Sequence, residues 1–156
     1  MIYRFRVILD TKDDVFRDIE IDESSSLEEL HNSIIKSFGF LGNEMASFFK
    51  TNNNWSQEDE LPLNDFGPEN PSMKDKELNT FINSENNKLL YVYDFLSLWT
   101  FFIELMEIGE NRKGVTYPNL INSKGEVPED APEKNFENNQ TKIDDSNIEK
   151  NEENFY

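Results

Sequence analysis

The sequence predicts an α+β fold: a mixed β-sheet in the order β-β-α-β-loop-β-β, with one main helix packed on a face, loosely β-grasp-like. Two observations support this prediction. Several short segments alternate apolar and polar residues with the period of two that is typical of half-buried strands. A single segment, after the second of them, has helical spacing. The chain has 156 residues, of which residues 1–130 are predicted to form one domain.

The first two strands are predicted to form a hairpin. Residues 2–9 alternate apolar side chains with Arg4 and Arg6, and residues 15–21 alternate in the same way after a polar turn at residues 10–14. Two strands joined by a short polar segment are most simply a hairpin.

The main helix is predicted to begin after Ser26 and to end before Gly39. Ser26 and Glu29 have the spacing of a capping box, in which each side chain accepts a hydrogen bond from a backbone N–H at the helix start. Apolar positions then recur along one stripe, and glycine suits the left-handed position that ends a helix. The stripe consists of Leu27, Leu30, His31, Ile34, Ile35 and Phe38.

The rest of the chain contains three more predicted strands, at residues 45–49, 89–95 and 99–108. Residues 50–82 are interpreted as a long surface connection that ends in one helical turn. Residues 117–121 and 126–130 are interpreted as ordered loops. Residues 131–156 are polar, with seven acidic and three basic side chains, and are predicted to form a disordered acidic tail.

Composition excludes several classes of function. The net charge of −17 argues against direct nucleic-acid binding, which needs clustered Lys and Arg, and favours a protein partner with a basic surface. The absence of cysteine excludes disulfides, thiolate nucleophiles and Cys-ligated zinc.

No targeting segment or apolar stretch of membrane-spanning length is recognisable, so the expected location is the cytoplasm. The sequence matches no known catalytic or metal-binding motif, and we predict no cofactor and no metal.

A candidate partner or ligand surface is predicted around the last hairpin and the end of the domain. It consists of Tyr91, Tyr93, Asp94, Trp99, Glu129 and Asp130. Aromatic residues crowd this hairpin on both faces, and one helix covers only one face of a sheet. Either residues 50–82 cover the second face, or part of the aromatic surface meets a partner.

Two residues in this scheme have alternative readings. Asp94 has either a raised pKa and a role in acid–base chemistry, or a place in the turn where it accepts backbone N–H bonds. The only histidine, His31, is either a base, proton shuttle or ligand, or a residue packed at the edge of the core. Its place on the helix stripe and the lack of clustered partners favour the second interpretation.

Five segments, in order, resemble the plasmid pRiA4b ORF-3-like family. They are residues 15–19 (VFRDI), 26–40 (SLEELHNSIIKSFGF), 91–99 (YVYDFLSLW), Tyr117-Pro118 and 127–130 (VPED). The chain resembles a divergent member, since Leu96-Ser97 stand where the family has Gly-Asp and Phe101 stands where it has His. The resemblance implies the family fold without an established activity, and a weaker association with mobile elements.

The sequence therefore leaves two main functional hypotheses. The first is a non-enzymatic interaction or adaptor domain that binds a protein partner. The second is a small-molecule-binding or enzymatic domain with its site near Asp94, Trp99 and Asp130. A role as an accessory protein of a mobile element is the weakest of the three.

Overall fold

The computed structural model describes residues 1–64 and 73–133. These residues form seven β-strands, one α-helix and two short 3-10 turns. The strands are β1 (Ile2–Leu9), β2 (Phe16–Asp22), β3 (Ala46–Thr51), β4 (Gln57–Pro62), β5 (Lys88–Tyr93), β6 (Trp99–Gly109) and β7 (Asn119–Lys124). The helix α1 spans Leu27–Phe38, and the 3-10 turns span Met73–Asp75 and Leu78–Thr80.

The predicted fold class was wrong in its sheet. All seven strands belong to one sheet in the order β4-β3-β5-β6-β1-β2-β7, and every neighbouring pair is antiparallel. The fold is therefore dominated by an antiparallel sheet with one short helix, and it is neither a mixed sheet nor β-grasp-like. Two strands were missed, because β4 had been read as part of a surface connection and β7 as a loop.

The prediction for α1 is confirmed, including its caps. The Ser26 hydroxyl accepts a hydrogen bond from the Glu29 backbone N–H at 3.1 Å, and the Glu29 carboxylate accepts one from the Ser26 N–H at 2.8 Å. Gly39 ends the helix with φ of 79°, a left-handed conformation that costs glycine little. Both ends of the helix are thus determined by residues within its own sequence.

The face of the sheet beneath α1 forms the hydrophobic core. Alternate residues of the strands point to this face, as the sequence predicted for Tyr3, Phe5 and Val7, and they are almost completely buried. Leu78 and Ile82, from the second 3-10 turn and the residues that follow it, extend the same cover and are also buried. Both residues therefore face the core.

The second face of the sheet is covered at one place by a residue of the β3–β4 turn. The rings of Trp55 and Phe102 lie with their centroids 5.1 Å apart, and the Nζ of Lys88 lies 5.5 Å from the centroid of the Trp55 ring. Of the two alternatives for this aromatic face, cover by the segment 50–82 therefore holds at Phe102. The remainder of this face is called the open face below.

The boundary of the domain remains a prediction. Residues 134–156, most of the predicted tail, lie outside the described part of the chain, whereas Ala131 packs against the core.

Among the described residues, the structure contains no helix with the length and apolarity needed to cross a membrane.

Candidate functional site

Four connecting segments of the chain lie together at one end of the sheet. Three of them follow β1, β5 and β7, and the fourth precedes β3. The Asp10 N–H donates to the Thr100 carbonyl at 2.9 Å, and the Asp94 N–H donates to the Met45 carbonyl at 2.8 Å. A Cβ placed on Gly125 would lie 2.3 Å from the carbonyl oxygen of Asp14, so only glycine permits this close approach. We call residues 10–14, 39–45, 94–98 and 125–130 the turn end.

The turn end exposes large apolar side chains. Leu96 is 97% exposed and Leu41 is 88% exposed, and Met45 and Phe95 are also exposed. Single exposed apolar residues are ordinary, but a group on adjacent turns marks a contact surface more often than chance placement does. These four residues form the apolar part of the candidate site.

The β5–β6 turn that presents Phe95 and Leu96 is held by Asp94. The Asp94 carboxylate accepts hydrogen bonds from the N–H groups of Leu96 at 3.1 Å and Ser97 at 3.4 Å. The Asp94 carbonyl accepts a further bond from the Leu98 N–H at 2.6 Å. Of the two readings of Asp94, the geometry therefore matches the turn residue that accepts backbone N–H bonds.

The charges at the turn end are almost all negative. Its four segments contain eight acidic side chains and one basic side chain, Lys12. The acidic residues are Asp10, Asp13, Asp14, Glu44, Asp94, Glu126, Glu129 and Asp130. A cluster of one sign creates a local potential that attracts the opposite sign. The apolar side chains thus share the turn end with these eight acidic residues, which we call the acidic rim.

The structure separates the six residues of the predicted surface into two groups. Tyr91, Tyr93 and Trp99 point into the core and are buried, whereas the half-buried Asp94 and the exposed Glu129 and Asp130 lie at the turn end. Phe40 covers two of the aromatics, with its ring centroid 5.1 Å from Tyr93 and 4.9 Å from Trp99. The role of all six as a binding surface stays a prediction.

Sequence reasoning missed the exposed apolar residues beside them. Leu41 was not considered, Met45 was interpreted as the first residue of a strand, and Leu96 was interpreted only as part of a turn. A signal was present, because Leu96 and Leu98 occupy turn positions where polar residues and glycine are usual.

His31 lies on the helix-covered face and contacts Tyr91. Its Nδ1 lies 2.5 Å from the Tyr91 hydroxyl oxygen. Burial lowers the pKa of His31, partly opposed by Glu28, and burial raises the pKa of Tyr91. Both shifts favour neutral forms, so the phenol O–H donates to the neutral imidazole. This contact is a hydrogen bond between two neutral side chains at the edge of the core.

The open face contains a ladder of arginine–carboxylate pairs. Asp18 is 7% exposed and Glu20 is 4% exposed. Arg6 binds Asp18 through two hydrogen bonds of 2.9 and 3.0 Å, and Arg4 binds Glu20 at 3.0 Å. Arg112, from the β6–β7 connection, makes a second ion pair with Glu20. Each buried carboxylate therefore has at least one guanidinium partner.

Ion pairing controls the titration of Asp18. Burial alone would raise the pKa of Asp18, but hydrogen bonds from Arg6 and Asn122, together with the nearby guanidinium charges, hold this pKa below its ordinary value. The hydrogen bond to Asp18 correspondingly raises the pKa of Arg6, although burial opposes it. These groups stay charged at neutral pH and neutralise each other.

Three of the cavities that the described residues form lie outside the turn end. Two lie on the open face, with volumes of about 300 and 410 Å³, and share Arg4 and Glu107 in their linings. A third, of about 230 Å³, lies between α1 and β7 beside Ile19 and Leu120. Asp94, Trp99 and Asp130 line none of these three. Within residues 1–64 and 73–133, no three His, Asp or Glu side chains are grouped to hold a metal ion.

Comparison with solved structures identifies the same fold elsewhere. The crystal structure of a protein of unknown function, MM3350 from Methanosarcina mazei Go1, is similar with a TM-score of 0.71 and 25% sequence identity. The match covers 83% of this chain and 72% of that chain. No curated protein matches significantly. The family model described as plasmid pRiA4b ORF-3-like protein matches residues 1–155, and the chain therefore belongs to the plasmid pRiA4b ORF-3-like family.

Proposed function

We propose that this chain is a non-enzymatic protein-interaction domain that binds a partner through the turn end. The observation that supports this function best is the group of exposed apolar side chains at Leu41, Met45, Phe95 and Leu96. They lie on turns held by hydrogen bonds, such as those of Asp94, so the surface exists before a partner arrives. A preformed surface loses less conformational entropy on binding than a flexible one does.

The acidic rim defines the chemistry of the partner. Eight carboxylates and one lysine around an apolar centre suit a partner surface with apolar side chains flanked by Lys or Arg. The apolar centre would supply most of the affinity, and the rim would accelerate association and exclude acidic partners. The proposed complex is therefore one that weakens as the salt concentration rises.

A comparative capture experiment tests this function. The full chain, a Leu96→Asp variant and an Ile108→Asp variant would be immobilised and exposed to extract from the source cells. Ile108 is the matched control because it is an exposed apolar residue at the other end of β6. We expect a protein with a basic surface to bind the wild type and Ile108→Asp, and to bind Leu96→Asp about tenfold less, a change of about 1.4 kcal/mol.

The captured protein would then be purified and its dissociation constant measured at low and high salt. Binding that is equal for the wild type and Leu96→Asp would contradict the proposal, as would binding that is independent of salt. Capture by Leu96→Asp but not by Ile108→Asp would move the surface to the opposite end of the sheet.

The alternative function, a small-molecule or enzymatic site near Asp94, Trp99 and Asp130, has less support. The Asp94 carboxylate is engaged by backbone N–H groups, and the Trp99 ring is buried against Phe40. The Trp99 ring is thus enclosed by the core, and Oδ1 of Asp94 is already occupied by the turn. Nuclear magnetic resonance titration with a small-molecule library would support the alternative if shifts clustered at these residues.

A further inference from the structure

The two edges of the sheet differ in the features that prevent strands of different molecules from pairing. The outer strand β4 exposes three consecutive carboxylates, Glu58, Asp59 and Glu60, and ends at Pro62. Charges and proline are the usual protection of an edge strand. The other outer strand, β7, contains no acidic residue and one charged side chain, Lys124. Only the β4 edge is therefore protected by charge.

The β7 edge also exposes apolar side chains. Leu120 is 47% exposed beside the cavity under α1, and Ile121 is 37% exposed beside Met106 on the open face. Among the described parts of the chain, residues 119–123 make backbone–backbone hydrogen bonds only within the β2–β7 ladder. The outer N–H and C=O groups of this strand are thus open to another strand.

We propose that two copies of this chain pair through their β7 strands, antiparallel and across a two-fold axis, into one continuous sheet. The partner is a second copy because the edge is self-complementary. Each copy brings apolar side chains to both faces of the junction, and neither brings a carboxylate from β7. In a chain with a net charge of −17, this strand lets two copies meet without like charges in contact.

The antiparallel direction also separates the acidic surfaces of the two copies. β7 ends at Lys124, next to the turn end, so the two turn ends lie at opposite ends of the paired strands. A strand of six residues spans about 20 Å, and charges in physiological salt are screened within about 8 Å. The dimer therefore presents two turn ends that do not repel each other strongly. This inference goes beyond the proposed function and is independent of it.

Sedimentation equilibrium of the full chain over a wide concentration range tests the dimer. We expect twice the chain mass for the wild type and for Ile108→Lys, whose exposure of 38% matches that of Ile121. Ile121→Lys and Ile121→Glu alone should each be monomeric, because residue 121 of one copy faces residue 121 of the other near the middle of the strand and like charges would meet there. Their equimolar mixture should recover the dimer, because the facing charges are then opposite. A monomeric wild type, or an unchanged Ile121→Lys dimer, would overturn the proposal. So would a mixture that stays monomeric.

A cysteine variant gives a second measurement that does not depend on introduced charge. The chain has no cysteine, so Ile121→Cys contributes the only thiol. Central residues of two paired strands lie within the Cα separation that a disulfide spans, about 4.4–6.8 Å. We expect Ile121→Cys to form a disulfide-linked dimer on mild oxidation and Ile108→Cys to remain unlinked. Equal cross-linking of the two variants would count against pairing through β7.

Discussion

The two faces of the sheet differ in how their side chains are buried, although the same strands supply both. On the face beneath α1, apolar residues such as Phe5 contact other apolar residues. On the open face, Asp18 and Glu20 are nearly as buried, but their neighbours are arginines. A carboxylate in a protein can thus lose its water when guanidinium groups replace that water, whereas an apolar residue needs only neighbours of fitting shape.

The largest expected effect breaks the covered face. Phe101 is fully buried, and its ring centroid lies 4.8 Å from Phe38 and 5.6 Å from Tyr91. We expect Phe101→Ala to lower the free energy of unfolding by about 3–5 kcal/mol, because it removes apolar contacts and leaves a cavity. Urea denaturation would measure this loss. The control is Phe102→Ala on the opposite face, beside Trp55, and an equal loss in both variants would show that the two faces are packed alike.

An intermediate effect breaks the open face. Arg6→Ala leaves the buried Asp18 carboxylate without its two-bond partner, and we expect a loss of about 1–3 kcal/mol in the free energy of unfolding. The double variant Arg6→Leu with Asp18→Leu removes both charges and should lose less than the single variant. A double variant that is less stable than Arg6→Ala would contradict this account of the ladder.

The acid dependence of stability follows from the same pair. The folded-state pKa of Asp18 lies below its ordinary value, so the carboxylate stabilises the fold above that ordinary value, about 3.9. This contribution falls as pH drops through the folded-state pKa, and Arg6→Ala should lose less stability over that range than the wild type.

The smallest expected effect concerns the polar pair on the covered face. Tyr91→Phe removes the donor to His31, and we expect a loss of about 1–2 kcal/mol in the free energy of unfolding at neutral pH.

The folded-state pKa of His31 is lowered, so the unfolded chain binds more protons below about pH 6.5 and stability falls as pH drops through this region. Thermal unfolding of the wild type and His31→Gln between pH 7 and pH 5 measures this loss of stability. Parallel slopes in the two proteins would contradict the His31 assignment.

The sequence predicted the covered face well because its signals are local. The capping box of Ser26 and Glu29, the helical stripe and the alternation along β1 each depend on residues a few positions apart. The burial of the core face follows directly from these periodicities, since a helix with one apolar stripe must cover an apolar sheet face.

The outer strands could not be predicted because their own residues hardly alternate. Four of the six residues of β4 are exposed polar residues, and β7 has one half-buried residue followed by exposed ones. Each becomes a strand because its inner neighbour, β3 or β2, offers unpaired backbone groups. The antiparallel order of the sheet depends likewise on pairings between distant segments.

The candidate site was predictable only in part for a related reason. The aromatic residues of the last hairpin drew attention to the correct region, but the pattern of β5 alone does not show that Tyr91 and Tyr93 point inward. The convergence of four turns at one end follows from the strand order, and this order was not available from local patterns.

The position of β1 has a consequence for how the chain folds. β1 lies inside the sheet, and its Phe5 pairs with Leu105, near the other end of the described chain. The hairpin of β1 and β2 therefore cannot pair with β6 until β6 has been synthesised. Closing the long loop between β1 and β6 costs conformational entropy before the contacts between these strands form. We expect refolding to be slow for a domain of this size, and stopped-flow fluorescence of the two tryptophans, Trp55 and Trp99, would measure its rate. During synthesis on the ribosome, β1 therefore pairs with β2 well before β6 is available to pair with its other edge.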